Sequence, residues 1–153
     1  MTDTFIQSLE DIWPLQAKLN AKAGFDTKAM GELLEGLGKD NPDNLLKVGK
    51  ALKNYIDAML SECQELQDCM SWKHWYKEAK EGRQYQLQDL QNARVEAIDM
   101  LFFWVSICQL LGLSTQDVYR LYAAKLGINH ARQNEDRTQA QHGSHEHENR
   151  NVV

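Results

Sequence analysis

The chain has 153 residues, of which 42% are hydrophobic and 25% charged, and its formal net charge is −5. This length suits one domain with a single core, and the composition is that of a globular protein. No basic stripe dominates any predicted helix, so we do not expect a nucleic-acid polymer as partner. The longest apolar run, residues 100–108, is too short to cross a bilayer, which takes about 20 residues. We therefore expect no membrane span.

Three cysteines, Cys63, Cys69 and Cys108, lie within apolar helical patterns. Their odd number, without a secretory signal, predicts reduced thiols and a cytoplasmic protein. Their spacing lacks the C-x-x-C form of a zinc site, so we expect them to be small buried hydrophobic residues.

Helices are predicted almost throughout, because the chain has two prolines and few β-branched runs. The first helix covers residues 4–23, with Pro14 marking a break or a fresh start. A short, weak helix follows over residues 27–37. Asn41 as N-cap and Pro42 at the first helical position open a long helix that ends near residue 70.

Two further main helices follow an aromatic, basic connector at residues 71–81. The third main helix covers residues 85–111 and is stopped by Gly112. Ser114 and Asp117 resemble a capping box that opens a fourth helix, ending near residue 132.

The fold is therefore predicted to be all-α, with one domain over residues 1–134. Residues 135–153 form a polar tail that buries too little apolar surface to become ordered. Its histidines, at positions 142, 145 and 147, can bind a metal adventitiously, although a solvated tail is the commoner case.

Two carboxylate pairs stand out on consecutive main helices. Glu62 and Glu65 are three residues apart, as are Glu96 and Asp99. Each pair shares one helix face, at or beside the apolar stripe. Burying four carboxylates without compensation is very costly. Bound Mg²⁺ is the natural compensation, since it prefers oxygen ligands.

Other interpretations of these carboxylates stay open at this point. Pairs three apart arise often by chance, and Arg94 or lysine side chains could neutralise them as ion pairs. A di-iron bundle is disfavoured, because its Glu-x-x-His motif is absent and oxygen-only ligands favour magnesium or manganese over iron.

Several motifs together resemble the all-α dimeric dUTPases, which belong to the wider MazG-like nucleotide pyrophosphohydrolases. The resemblance covers residues 12–134. The matching segments are Leu-Gln-Ala-Lys-Leu-Asn at 15–20, Glu-Cys-Gln-Glu-Leu at 62–66, Trp-Lys-His-Trp at 72–75, Glu-Ala-Ile-Asp at 96–99, and Tyr122, Lys125, Asn129, Arg132 and Gln133.

This resemblance implies a MazG-like four-helix bundle that forms a homodimer. It further implies hydrolysis of dUTP, and of dUDP, to dUMP by a metal-activated water, with pyrophosphate released from dUTP. The cofactor implied is Mg²⁺, with Mn²⁺ as a substitute.

The resemblance also assigns roles to individual residues. The metal ligands and catalytic carboxylates are Glu62, Glu65, Glu96 and Asp99, with Glu65 as the proton acceptor. The base is recognised by Gln16 and Asn20, whose amides offer both donor and acceptor. The nucleoside packs on Trp72, with Lys73 and Trp75 shaping that wall. The phosphate chain is bound by Lys125, Asn129 and Arg132, which share one helix face.

The chain departs from the family pattern in three places. No Gly-Tyr element follows Gln133, and Lys77 is out of step with the usual W-K-x-W-K run. Larger members have a lid-like insertion where this chain has only residues 112–113. We expect residues 27–37 to cover the site instead.

Two other functions remain open. One is a broader MazG-like pyrophosphohydrolase that accepts dCTP or other nucleoside triphosphates. The other is a non-catalytic helical module for dimerisation or regulation. The run 101–108 is apolar on nearly all sides, which predicts a partner subunit. The sequence does not distinguish a dimer from a tetramer.

Overall fold

The computed structural model describes residues 2–134, 149 and 152. Within these residues no strand occurs, and Met70 and Leu87 form one isolated β-bridge. The all-α prediction is therefore confirmed. Apart from 149 and 152, the predicted tail, with its three histidines, lies outside the described residues. The helices are α1 (Thr2–Lys22), α2 (Thr27–Glu32), a 3-10 helix (Gly36–Asp40), α3 (Pro42–Asp68), α4 (Lys77–Lys80), α5 (Leu90–Leu110) and α6 (Thr115–Asn134).

The described residues form two compact units. One is Ile12–Gly112, and the other comprises the residues up to Asp11 together with those from Leu113 onward. Helix α1 contributes residues to both units. A single domain over residues 1–134 stays a prediction.

Side-chain caps set the helix starts in the larger unit. The Asn41 side chain accepts from the backbone of Asp43 at 2.9 Å, which confirms the predicted start of α3. Asp89 caps α5 in the same way, so this helix begins at Leu90 rather than at residue 85. Tyr85 has a φ of 68°, in the left-handed region, and cannot belong to a right-handed helix. The third helix is therefore shorter than predicted.

The sequence predicts one short helix over residues 27–37, but the structure has a shorter α-helix followed by a separate 3-10 helix. Asp26 caps α2, which ends at Glu32. Gly36 then adopts a φ of 54° and opens the 3-10 helix. This left-handed residue ends any continuous α-helix at this point.

The predicted break at Pro14 is wrong, because α1 continues through it. A proline inside a helix costs about 3 kcal/mol. Anchors beside the proline offset that cost: the Trp13 ring packs edge-on against Trp104, with centroids 6.4 Å apart, and the Gln109 amide donates to the Trp13 carbonyl at 2.8 Å.

Helices α3 and α5 pack together as an antiparallel pair. The Tyr55 and Phe103 rings meet with centroids 6.3 Å apart toward one end. At the other end the Cys69 carbonyl accepts from the Gln88 backbone at 2.8 Å. This register brings Glu62, in the last third of α3, opposite the first turns of α5.

Helix α2 lies against the end of α5 through a glycine. A Cβ built on Gly31 would lie 2.1 Å from the Gln109 carbonyl oxygen, so no larger residue fits there. This close approach places Thr27, at the start of α2, beside the Gln109 side chain.

In the smaller unit the predicted capping box opens α6. The Ser114 hydroxyl accepts from the Asp117 backbone at 3.1 Å, and the Asp117 carboxylate accepts from the Ser114 backbone at 3.0 Å. Bonds from Arg120 and Ser114 lower the pKa of Asp117 to about 2.

None of the helices in the described residues is, by itself, both long enough and apolar enough to cross a bilayer; α5 and α6 reach that length and composition only when taken together across the short break between them.

Candidate metal and nucleotide site

Three of the four predicted carboxylates come together between α3 and α5. Glu62, Glu65 and Glu96 each offer a carboxylate oxygen, and these oxygens lie within 4.8 Å of one another. Glu96 is buried, Glu62 half-buried and Glu65 exposed. The α3–α5 register produces this acidic cluster, because it sets the i, i+3 pair of one helix against Glu96 of the other.

Electrostatic repulsion is visible at Glu62. Its pKa is raised, first by burial and then by the negative charges of Glu65, Asp99 and Glu96, and a hydrogen bond with Glu96 adds to the effect. Asp99 lies outside the group of close oxygens but near enough to act on Glu62. The fourth predicted carboxylate thus belongs to the same electrostatic site.

Ion pairs do not neutralise the acidic cluster within the described part of the chain. The ion pairs found there join other residues, and neither Arg94 nor any lysine pairs with the four carboxylates. Like charges held together at a half-buried site without a counter-charge destabilise the fold. The ion-pair interpretation left open by the sequence is therefore not supported.

A hard divalent cation fits this donor set. All donors are carboxylate oxygens, which such cations prefer. Oxygens bound to one Mg²⁺ lie about 3–4 Å apart, so the cluster needs to contract only slightly. The residues that would hold the ion are Glu62, Glu65 and Glu96, with Asp99 beside them.

The predicted base-recognition pair lies in a buried polar network. Gln16 and Asn20 are each 6% exposed, and the Gln16 amide donates to the Asn20 side-chain oxygen at 3.0 Å. Both amides also donate to the Ser106 hydroxyl, at 3.2 and 2.9 Å. We call the five linked side chains the polar network: Gln16, Asn20, Thr27, Ser106 and Gln109.

Sequence reasoning missed three members of this network: Thr27, Ser106 and Gln109. A signal for two of them exists, since Ser106 and Gln109 interrupt the apolar stretch 100–111 at a spacing of three. Thr27 carries no comparable signal, because its role depends on the close approach of α2 to α5.

The acidic cluster and the polar network share one face of α5. Asp99 and Ser106 are seven residues apart, which is two helical turns, or about 10 Å. Phe103 lies between them, in contact with Tyr55, which in turn meets Phe25 at 6.0 Å. Carboxylates, aromatic rings and buried amides therefore follow one another along this face.

The predicted aromatic wall lies beyond the other end of the acidic cluster. The Trp72 indole donates to Asp68 at 2.8 Å, just past the last turn of α3. The Lys73 ammonium lies 5.1 Å from the Trp72 ring centre and 5.8 Å from that of Trp75. The structure thus brings these three residues together, but places them on the opposite side of Glu62 from Ser106 along the α3–α5 pair.

Ser71 holds the connector that carries this wall. It is fully buried, its backbone donates to Gln86 at 3.0 Å, and its carbonyl accepts from Tyr85 at 3.0 Å. The Gln84 amide also donates to the Trp72 carbonyl at 3.0 Å. These bonds fix the Trp72 backbone.

The predicted phosphate-binding residues lie on α6, in the smaller unit. Lys125 and Arg132 are half-buried and Asn129 is exposed. The Lys125 ammonium donates to Asn149 at 2.7 Å. Their role toward phosphate stays a prediction.

One curated relative was found by comparison with known proteins. The chain is 26% identical over 145 residues to a dCTP pyrophosphatase of Enterobacteria phage LZ5, an alignment that covers 82% of this chain and 83% of the relative. No protein-family model matches the sequence, and no solved structure matches the chain.

Proposed function

We propose that this chain is a metal-dependent nucleoside triphosphate pyrophosphohydrolase acting on pyrimidine deoxynucleotides. The observation that carries the proposal is the acidic cluster, whose carboxylates are crowded together without a cationic partner among the described residues. Similarity along most of the chain to a phage protein named as a dCTP pyrophosphatase supports the same chemistry.

In this proposal Glu62, Glu65 and Glu96 hold Mg²⁺, or Mn²⁺, with help from Asp99. The ion, when bound, supplies charge neutralisation of the phosphate oxygens and acidifies a water molecule. Glu65, the exposed member of the cluster, accepts a proton from the attacking water. The water oxygen bonds to the α-phosphorus as the bond to the bridging oxygen breaks, giving a nucleoside monophosphate and pyrophosphate.

Other predicted site residues complete the proposal. Gln16 and Asn20 contact the base, Lys125 and Arg132 neutralise the phosphate chain, and the Asn129 amide donates a hydrogen bond to it. Trp72, Lys73 and Trp75 form a nucleoside-binding wall. The family resemblance favours dUTP, whereas the name of the phage relative favours dCTP, and both are pyrimidine deoxynucleotides.

We also propose that the chain acts as a homodimer. Helix α5 exposes Val95, Ile98 and Phe102, which are 46%, 53% and 44% exposed and form one stripe at spacings of three and four. Burying this α5 stripe against a second copy removes apolar surface from water. A dimer also allows one chain to supply the Trp72 wall to the partner's base site.

A turnover panel tests the proposed function. Purified protein is incubated with Mg²⁺ and dUTP, dUDP, dCTP, dTTP or UTP, and the products are separated. The proposal expects a monophosphate and pyrophosphate from dUTP or dCTP, with loss of activity in EDTA. Release of orthophosphate alone from a triphosphate, or no hydrolysis of any of them, overturns it.

A further inference from the structure

The polar network has only one consistent direction of hydrogen bonding. It starts at the Trp13 backbone carbonyl, which can only accept, and the Gln109 amide nitrogen lies 2.8 Å from it. Gln109 therefore turns its side-chain oxygen toward the Thr27 hydroxyl, 2.6 Å away. The hydroxyl has one hydrogen, and that hydrogen must be donated to Gln109.

The same logic fixes Asn20. Because the Thr27 hydroxyl has given its hydrogen away, its oxygen accepts from the Asn20 amide nitrogen at 3.1 Å. The Asn20 oxygen is thereby turned toward Gln16, whose amide nitrogen donates to it at 3.0 Å. Each amide orientation thus follows from the previous one rather than being free to flip.

Ser106, on α5, fixes the orientation of the Gln16 and Asn20 side-chain amides. Its hydroxyl donates to the Phe102 carbonyl, 2.8 Å away and one turn earlier. Its oxygen can then only accept, and it does so from Asn20 at 2.9 Å and from Gln16 at 3.2 Å. Both hydrogens of each amide are consumed inside the polar network.

Only the side-chain oxygens of Gln16 and Asn20 remain available to bind a ligand. Among the described residues nothing donates to the Gln16 side-chain oxygen, although Gln16 is only 6% exposed. The Asn20 oxygen accepts one bond and retains a second lone pair. A buried carbonyl oxygen without a donor is unfavourable until a ligand supplies one.

We propose that this site selects a base bearing an exocyclic amino group, as cytosine does, and discriminates against uracil. The inference rests on the proposed function for the presence of a pyrimidine nucleotide. The two hydrogens of the cytosine 4-amino group match the two free acceptors. Uracil has a carbonyl oxygen at C4 in place of the amino group. Its single N3–H can satisfy one of the two side-chain oxygens, but a uracil carbonyl oxygen on either side of N3 would then face the other.

The roles of Thr27, Ser106 and Gln109 in this account are those of positioning residues. They touch the recognising amides, not the base, and they determine which atoms of Gln16 and Asn20 remain free. Removing the hydroxyl of a positioning residue should free hydrogens on the Gln16 and Asn20 amides, which can then donate to a carbonyl oxygen of uracil. The preference for cytosine over uracil should decrease, while the acidic cluster stays intact.

Binding of nucleoside monophosphates tests this separately from catalysis. Calorimetric titration compares dCMP with dUMP for the wild type, Ser106→Ala and Thr27→Val. The wild type should bind dCMP at least about 100-fold more tightly, since unpaired buried polar groups give discrimination of that order or more. Ser106→Ala frees one amide hydrogen on Gln16 and one on Asn20, and Thr27→Val frees one on Asn20. Each variant should therefore bind dUMP more tightly and reduce the preference for dCMP over dUMP at least about tenfold. Thr115→Ala, which loses a buried hydroxyl on α6, is the control and should keep the wild-type ratio.

Several results would overturn the inference. Equal or tighter binding of dUMP by the wild type contradicts it, as does failure of both monophosphates to bind. If the variants that circular dichroism shows to be folded keep the wild-type ratio of dCMP to dUMP affinity, the positioning role of Ser106 and Thr27 is refuted. Selective binding of dCMP by a protein that releases no pyrophosphate from dCTP leaves the selectivity intact and refutes the proposed function instead.

Discussion

Glu62 on α3 and Glu96 on α5 bring carboxylate oxygens within 4.8 Å of each other across the helix pair, and Glu65 and Asp99 add negative charge around Glu62. Burial and this crowding of charges raise the pKa of Glu62, so the site favours a proton on that carboxyl group. A divalent cation can take the place of that proton and neutralise the whole acidic cluster. Competition between a proton and a metal ion is therefore built into the site.

Replacement of Glu62 by Gln should stabilise the metal-free protein and weaken its binding of Mg²⁺. The change removes one of the crowded charges and keeps an amide that can bond to Glu96. We expect the melting temperature in EDTA to rise by roughly 1–3 °C, as for a gain of a few tenths of a kcal/mol to about 1 kcal/mol. Calorimetric Mg²⁺ titration should show a loss of affinity of at least about tenfold. The exposed Glu35 provides the control, and equal effects of Glu35→Gln would contradict the assignment.

The raised pKa of Glu62 predicts a pH dependence of stability with a definite sign. Between the ordinary glutamate pKa of 4.5 and the raised pKa of Glu62, the native protein holds more protons than the unfolded chain, so its stability falls as pH rises through that window. Melting curves in EDTA should show this loss, and saturating Mg²⁺ should reduce it. The wild type and Glu62→Gln should differ least at the acidic end of the window. If the stability difference between the wild type and Glu62→Gln instead grows as pH falls, the predicted direction of the pH dependence is wrong.

Asp117 predicts the opposite dependence in the smaller unit. Its pKa is lowered from 3.8 to about 2 by its bonds to Arg120 and Ser114. Its contribution is present above about pH 4 and is lost as pH falls through 2. Asp117→Asn should cost about 0.5–1 kcal/mol near pH 6, a modest value because the carboxylate is partly exposed, and little near pH 2. Denaturant titration at both pH values measures this, with Asp43→Asn in the first turn of α3 as the control.

Cysteine reactivity should follow burial. Burial raises the pKa of Cys108 to about 11, and Cys69 is also buried, whereas Cys63 is half-buried. Iodoacetamide reacts with thiolates, so at pH 8 it should label Cys63 first. Mass spectrometry should find Cys108 labelled only after unfolding in guanidinium chloride. Early labelling of Cys108 in the native protein would contradict its position in the core.

The proposed dimer predicts a charge-sensitive α5 stripe. Ile98→Glu places a carboxylate in the centre of that stripe and should halve the mass measured by light scattering at micromolar concentration. Leu37→Glu changes a leucine that is 89% exposed on the 3-10 helix and should leave the mass unchanged. A wild type that is already monomeric refutes the dimer, and a dimeric Ile98→Glu variant refutes the assignment of the stripe.

The sequence predicted the helices and the acidic cluster well for a physical reason. Helical periodicity determines which face a side chain occupies, so the pairs at 62/65 and 96/99 could be placed on facing surfaces before their distance was known. The register between α3 and α5 could not be predicted in the same way. It depends on the connector anchored by Ser71, whose bonds follow no sequence period.

Tertiary contacts explain the parts that the sequence did not predict. Pro14 remains helical because Trp13 and Gln109 secure the adjoining turn. Thr27 enters the polar network only because Gly31 lets α2 approach α5. Sequence reasoning found Gln16 and Asn20 but not the direction of their hydrogen bonds, which starts at a backbone carbonyl.

The most direct test of the central claim is the rate of pyrophosphate release from dCTP and dUTP as Mg²⁺ is varied, for the wild type and for Glu96→Gln. The wild-type rate should depend on Mg²⁺, and the variant should lose at least about 100-fold, as when one charge-stabilising group is removed from an active site. Glu35→Gln should retain the wild-type rate. Turnover that is independent of Mg²⁺, or that persists undiminished in folded Glu96→Gln, would contradict the account.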